Sequence, residues 1–425
     1  MNSTYRTVTE VTSFGPFVTK IIVPLPGTVS SADLSKDTFN VFVERRDKTT
    51  GETLILRKDW FSTEYLQSRG YCPVSGTYAA DSDGERAETG NFAVLELEHG
   101  PTCKLNSAIA DIKHNTFIFN DFRITQVKPI ATEHEPIAGL VFDTCSANRM
   151  DQLRGWVHSS SAYTPMQLNY GFFMPLTGKG RRPLIIWLHG AGEGGQDPMV
   201  AYAGNKVVGL SSGKVQSYFG GAYVLAPQVP TMWMDDGSGE YTESGRTIYA
   251  EALKALIDEF IELHADIDPD RIYIGGCSNG GFMTMRMIID YPGFFAAAYP
   301  VCEALYDKTV SDGDIEAIKN TPIWFTHAVN DPVVKPEQMS IPAYHRLVAA
   351  GAPNVHFSLF DKVVDTSGLY KNEDGSPFEY FGHATWVYML NDECRLDFDG
   401  SPVIVDGREV TLLQWMALQS RQLQS

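Results

Sequence analysis

Between Arg271 and Gly281 the chain reads Arg-Ile-Tyr-Ile-Gly-Gly-Cys-Ser-Asn-Gly-Gly, an apolar strand that runs through a glycine-flanked serine into a helical pattern. Gly276 to Gly280 spells G-x-S-x-G, and strand before and helix after are the context of a nucleophile elbow. A serine that attacks a carbonyl must stand clear of its sheet, so the backbone turns sharply, and Gly276 and Gly280 lack the Cβ atoms that would clash. Ser278 then sits at a helix N-terminus, where free N–H groups and the helix dipole favour a developing oxyanion. The bare five-letter pattern is also compatible with a Gly-Ser turn that does no chemistry, so its partners decide.

Strand and helix patterns alternate around this segment. Asn169 to Pro175, Pro183 to His189, Ala222 to Ala226, Phe295 to Val301, Pro322 to His327 and Val355 to Phe360 read as strands. Helices are expected from about Thr247 to His264, after Ser278 as far as Pro292, and near Pro336 to Ala350. The continuous apolar run before His189 suits a strand covered on both faces. The whole predicts an α/β fold with a doubly wound, mostly parallel sheet over residues 165–425. The first 140 residues differ. Pro16 to Leu25, Phe39 to Glu44, Thr53 to Arg57, Phe92 to Glu98 and Phe122 to Lys128 have strand character between turn residues, which predicts an all-β sandwich of immunoglobulin type. Ser62 to Gly90 reads as a long loop, and residues 141–164, with Pro136 and Gly139 just before them, as a linker. His99, His114 and His134 are scattered and read as packing or surface residues.

A length of 425 residues suits two or three domains. With 52 acidic against 34 basic residues, a net charge of −18 and no basic run, nucleic acid and anionic membranes are poor partners. No apolar run approaches the roughly 18 residues a spanning helix needs. The start, Met-Asn-Ser-Thr-Tyr-Arg, lacks the apolar core of a signal peptide and reads as cytoplasmic, though an extracellular protein whose signal had been trimmed would begin the same way. The six cysteines lack C-x-x-C spacing, so no zinc site is expected. Cys277 and Cys302 follow neighbouring strands and could reach each other, but a chain of this size has little need of a disulfide. Oligomeric state is not fixed by the sequence, and a homo-oligomer is compatible with it.

A serine needs a base in reach and an acid to orient that base, in chain order Ser, Asp, His in sheets of this type. Asp331 ends the strand Pro322 to His327, the edge where ligand chemistry gathers. Asp314 lies in a polar segment between strands, and Asp361 follows the last strand. Of the downstream histidines, His345 falls on a helix and His356 inside a strand, whereas His383 occupies a Gly-flanked loop that can reach over. Oxyanion donors should be the N–H of Asn279 and that of Gly190 or Ala191, in a His189-Gly-Ala-Gly loop of HGGG type. His189 itself reads as structural. Gly190 to Gly195 also spells G-x-G-x-x-G, but Gln196-Asp-Pro198 breaks the chain where a dinucleotide-binding helix would open. The loop Gln228 to Gly245, with Trp233, Met234 and Tyr241, is expected to border a substrate pocket.

Four segments together resemble a known family: Pro183-Leu-Ile-Ile-Trp-Leu-His-Gly-Ala-Gly-Glu193, Asp268 to Gly281, Pro322-Ile-Trp-Phe-Thr-His-Ala-Val-Asn-Asp331 and Gly382-His-Ala-Thr-Trp386. They are similar to α/β-hydrolase esterases related to polyhydroxybutyrate depolymerases and prolyl-oligopeptidase-like hydrolases, of the type with an N-terminal immunoglobulin-like domain. The resemblance implies a Ser278, Asp331, His383 triad that cleaves carboxylic esters, small or polymeric, without metal or cofactor. It also places Trp386 beside the oxyanion site. The chain departs from the family at Glu303-Ala-Leu after Cys302 and at Ala328, where glycines are usual. Two rivals remain at this level, a serine peptidase and a non-catalytic scaffold. The first usually screens its site with a β-propeller, and the N-terminal region lacks blade repeats. With a neutral imidazole as base, activity should rise through roughly pH 6 to 8.

Overall fold

A computed structural model describes residues 4–56, 66–112, 114–132, 135–163, 166–175 and 180–423. His134 lies outside them. The chain divides into two units, Met1–Arg154 and Gly155–Ser425.

The first unit is a two-sheet sandwich. Its strands are β1 (Thr4–Thr12), β2 (Gly15–Ser30), β3 (Phe39–Arg46), β4 (Arg69–Cys72), β5 (Val74–Ala80), β6 (Thr89–Leu97), a short hairpin β7 (Ile109–Asp111) and β8 (Asn115–Phe117), β9 (Phe119–Gln126), β10 (Val141–Phe142) and β11 (Thr144–Arg149). One sheet runs β11-β1-β2-β6-β5 and the other β10-β9-β3-β4. Alternate residues point inward, as at Phe39, Val41 and Val43 of β3, and they meet Ile21, Val23, Leu95, Phe122 and Ile124 in one core. The hydroxyl of buried Tyr5 on β1 accepts the Phe122 N–H of the facing sheet at 2.9 Å.

Three expectations need correction here. The stretch 62–90, read as a loop, carries β4 and β5 in its described part, because Tyr78, Ala79 and Ala80 supply a small apolar face that its polar residues conceal. Of 53–57, only Thr53 pairs, as a single bridge to Arg46, and residue 57 lies outside the described residues. Residues 141–164 are no linker: β10 pairs with β9, β11 runs parallel to β1, and β12 (Trp156–Ser160) belongs to the sheet of the second unit.

That sheet continues with β13 (Asn169–Phe173), β14 (Arg182–Leu188), β15 (Tyr223–Gln228), β16 (Ile267–Cys277), β17 (Ala297–Val301), β18 (Ile323–Ala328) and β19 (Val355–Phe360), in the order β12-β13-β15-β14-β16-β17-β18-β19. β12 and β13 are antiparallel, and from β15 to β19 all are parallel. Helices α1 (Pro198–Ala203), α2 (Gly213–Phe219), α3 (Ala250–Leu263), α4 (Asn279–Asp290), α5 (Asp312–Ile318), α6 (Ser340–Ala349), α7 (Trp386–Leu390) and α8 (Leu412–Ala417) cover it. Every residue of β14 from Pro183 to Leu188 is buried. Leu184, Ile186 and Leu188 join Leu253, Leu256 and Phe260 of α3 and Met283 of α4 in one cluster, while Ile185 and Trp187 turn to the opposite face. Each such enclosed side chain contributes about 1.5–3 kcal/mol. The apolar run therefore needs no alternation, and all the parallel strands deliver their C-terminal ends to one edge.

Candidate active site

Ser278 leaves β16 with φ 56° and ψ −118° and caps α4. For a residue with a Cβ this is strained backbone, sustained only because the surroundings fix it. They do so through close packing. A Cβ at Gly276 would lie 2.3 Å from the Leu188 carbonyl oxygen, and one at Gly280 only 2.0 Å from it and 2.7 Å from that of His189. The two glycines thus let the elbow press onto the end of β14, a tighter reason than the turn itself. Gly280→Ala is expected to destabilise the protein by about 3 kcal/mol or more, because the obstructing atoms are backbone and cannot swing away. Urea unfolding would measure this, and a loss under about 0.5 kcal/mol would contradict the packing.

Asp331 follows β18 and is 1% exposed. Its Oδ1 accepts the N–H groups of Val333 (2.8 Å) and Val334 (3.0 Å). Its Oδ2 lies 2.7 Å from His383 Nδ1 and 3.1 Å from His327 Nε2. His327 Nε2 also faces the Val334 carbonyl at 3.0 Å while Nδ1 meets Ser340 Oγ at 2.7 Å, so Nε2 carries the proton and donates. His383 reaches Asp331 because Gly382 passes against Asn330, whose side-chain and main-chain oxygens would lie 2.4 and 2.5 Å from a Cβ there. Burial alone would raise the Asp331 carboxyl, but hydrogen bonds from His327 and His383 hold it well below the usual carboxylate range. It is ionised at any working pH.

Ser278 N–H donates to the Val301 carbonyl at 2.9 Å, and the next residue, Cys302, neighbours the His383 ring. Both residues thus have a neighbour at the end of β17, Val301 for Ser278 and Cys302 for His383, and among the described residues no hydrogen bond joins them directly. In an empty site that bond is commonly long and tightens when substrate binds. Cys302 is fully buried and also left-handed, with φ 37°. All six cysteines are free thiols, Cys277 and Cys302 included. Burial lowers the His383 pKa, but the Asp331 carboxylate, through its hydrogen bond and its charge, together with the neighbouring Cys302, outweighs it, and the net displacement is upward. An imidazole must be neutral to take a proton, so a raised pKa delays activity to higher pH. We expect the rising limb of kcat/KM on the alkaline side of about 6.5, the ordinary histidine value. A limb centred below that value would contradict this.

The loop after β14 carries the other donors. Gly190 N–H is already taken by Glu193 Oε2 at 2.9 Å, which leaves Ala191, exposed and with no acceptor for its N–H among the described residues. Asn279 N–H is likewise without an acceptor there. His189 donates from Nδ1 to the Gly190 carbonyl (2.7 Å) and accepts the Val229 N–H at Nε2 (3.2 Å), which braces the loop.

The remaining sequence candidates fall elsewhere. Asp314 caps α5 through Ser311, and Asp361 is exposed. His356 pairs with Asp397 at 2.7 Å, and His345 packs on Phe398. Trp386 stands edge-on to His383, ring centroids 5.5 Å apart. Trp233 is corrected. It was expected at a pocket wall but is 0% exposed, packed on His189 and Tyr249, so it offers no face to a ligand. Its main-chain N–H instead donates to Asn279 Oδ1 at 2.6 Å and so steadies the start of α4. Glu303, where a glycine was usual, is buried, and a Cβ on Gly281 would lie 2.7 Å from its Cα. Sequence reasoning missed His327, Cys302 and Glu193 as neighbours of the site; the dipeptide Thr326-His327 at a strand end was the one signal available.

Sheet order and elbow define an α/β-hydrolase. Residues 4–139 match the family model described as the esterase Ig-like N-terminal domain, and residues 176–365 that described as phospholipase/carboxylesterase. The two matches together give an esterase-type immunoglobulin-like domain followed by a domain of the phospholipase/carboxylesterase type. The Arabidopsis thaliana protein named probable carboxylesterase SOBER1-like is 25% identical over 169 residues, 36% of this chain and 62% of that protein. Poly(3-hydroxyalkanoate) depolymerase C of Paucimonas lemoignei is 28% identical over 169 residues, 36% of this chain and 38% of that enzyme. A crystal structure of a thermostable esterase superposes with a TM-score of 0.72 at 23% identity, over 98% of this chain and 99% of that one, which shows the shared fold.

Proposed function

We propose that the chain hydrolyses carboxylic esters through Ser278 as nucleophile, His383 as base and Asp331 as the group that orients it. His383 Nε2 takes the Ser278 Oγ proton as Oγ bonds to the ester carbonyl carbon. The N–H groups of Asn279 and Ala191 hold the oxyanion, the former aided by the N-terminus of α4. His383 then returns the proton to the leaving alcohol. Water, deprotonated by the same imidazole, cleaves the acyl-enzyme and frees Ser278. Trp386, edge-on to His383, is placed to border the bound ester.

The observation that supports this reading is the 2.7 Å contact of His383 Nδ1 with buried Asp331, in a chain that also holds a strained serine turn at Ser278. A structural Gly-Ser turn would need no such pair. Small-molecule and polymeric esters both fit the family. The test compares p-nitrophenyl esters of graded acyl length, and a polyester film, with peptidyl p-nitroanilides. Ester turnover with at most trace amide turnover is expected; preferred amide cleavage would favour the peptidase reading, and no turnover at all a scaffold.

A further inference from the structure

Glu193 is 2% exposed and lies in the loop that follows β14, three residues after Gly190. Its two ends close a small ring: Oε2 accepts the Gly190 N–H at 2.9 Å, while its own N–H donates to the Gly190 carbonyl at 3.1 Å. Gln228 Nε2 holds its carbonyl at 2.9 Å. The carboxyl occupies a notch made for it, since a Cβ at Gly204, which caps α1, would lie 2.5 Å from Oε1. Cys277, the residue before the serine, closes the other side, its Sγ 3.5 Å from a Cβ placed on Gly190. No ion pair to Glu193 exists among the described residues. A buried carboxyl without a cation is costly to keep unless it does something an apolar side chain cannot.

We propose that Glu193 is the positioning residue of the oxyanion loop: by taking up the Gly190 N–H it fixes that peptide, so that the N–H of Ala191 is presented to the ester oxygen. The inference rests on the hydrolase reading above and deepens it. A side chain that seized no N–H would let the Gly190 peptide turn, and two donors would compete for one place. Burial pushes the Glu193 carboxyl up to about 8, against the pull of the Gly190 N–H and the Asn205 side chain. Near pH 7 it is therefore largely the neutral acid, whose oxygen still accepts, and an amide can replace it.

The experiment compares Glu193→Gln, which keeps an acceptor at the same reach, with Glu193→Met, which keeps the length and removes it, and Glu193→Asp, which withdraws it by one methylene. Steady-state kinetics on p-nitrophenyl acetate at pH 7 are read beside thermal unfolding, with Ser278→Ala in parallel. Gln should stay within about threefold of wild type, while Met and Asp lose on the order of 10²-fold in kcat with KM nearly unchanged, the cost of misaiming a donor by about 1 Å. Either short or apolar variant suffices if the other does not fold. Full kcat in folded Met or Asp, or a loss in Gln equal to theirs, would overturn the assignment while leaving the Ser278 reading intact. Hydrolysis that persists in Ser278→Ala would instead remove the reading on which it stands.

Discussion

His383→Ala is expected to lower kcat for ester hydrolysis by on the order of 10⁶-fold, with a much smaller change in KM. Members of a triad act as a unit, and without a base the serine hydroxyl stays protonated at neutral pH. What survives should be the roughly 10³–10⁴-fold advantage over water that oxyanion donors and binding supply alone. The fold should survive as well. Asp331 would keep the Val333 and Val334 N–H groups and His327, so its buried charge is not stranded. Activity lost with the thermal midpoint held within a few degrees is the signature; a stable variant that retains a tenth of wild-type kcat would remove His383 from the mechanism.

The second large effect is that of Asp331→Asn, and its geometry can be worked out. Oδ1 receives two main-chain N–H groups, so the amide must place its carbonyl oxygen there and its NH₂ where Oδ2 was. That NH₂ then faces His383 Nδ1, which must give up its proton and accept. The imidazole is driven into the tautomer with hydrogen on Nε2, which cannot take a proton from serine. A loss of about 10⁴-fold in kcat follows. The same NH₂ opposes His327 Nε2–H, donor against donor, so a stability loss of about 1–3 kcal/mol should accompany it. Stopped-flow or steady-state assays beside urea unfolding separate the two effects. A variant within tenfold of wild type would show that Asp331 does not orient His383.

Much of this was legible in the residues because the chemistry is tied to strand ends. An apolar run that stops at Gly-x-Ser-x-Gly, another that stops at Asn-Asp-Pro, and a Gly-flanked histidine after the last strand are local signals with a fixed order. What could not be read is equally physical. β4 and β5 hide in a polar stretch because an edge strand of a sandwich needs few apolar residues; β10 has only two residues, and β11 and β12 are exposed along almost their whole length, so no apolar alternation marks them. Trp233 looked like a pocket wall because loop composition does not reveal burial; its place was set by packing on His189 and Tyr249. His327 was passed over because it precedes the acid it contacts, and Glu193 because the eye counts the glycines around it. Residues that brace a site from a second contact away are found only when the backbone brings distant segments together.

A single measurement bears most directly on the central claim that Ser278 is made nucleophilic by the His383–Asp331 pair. The protein is treated with a p-nitrophenyl phosphonate ester and digested, and the peptides are mapped by mass spectrometry. One adduct per chain, on Ser278, formed in step with loss of esterase activity and slowed at least a thousandfold in His383→Ala, is the predicted result. Labelling of another residue, or labelling of Ser278 at the same rate without His383, would contradict it.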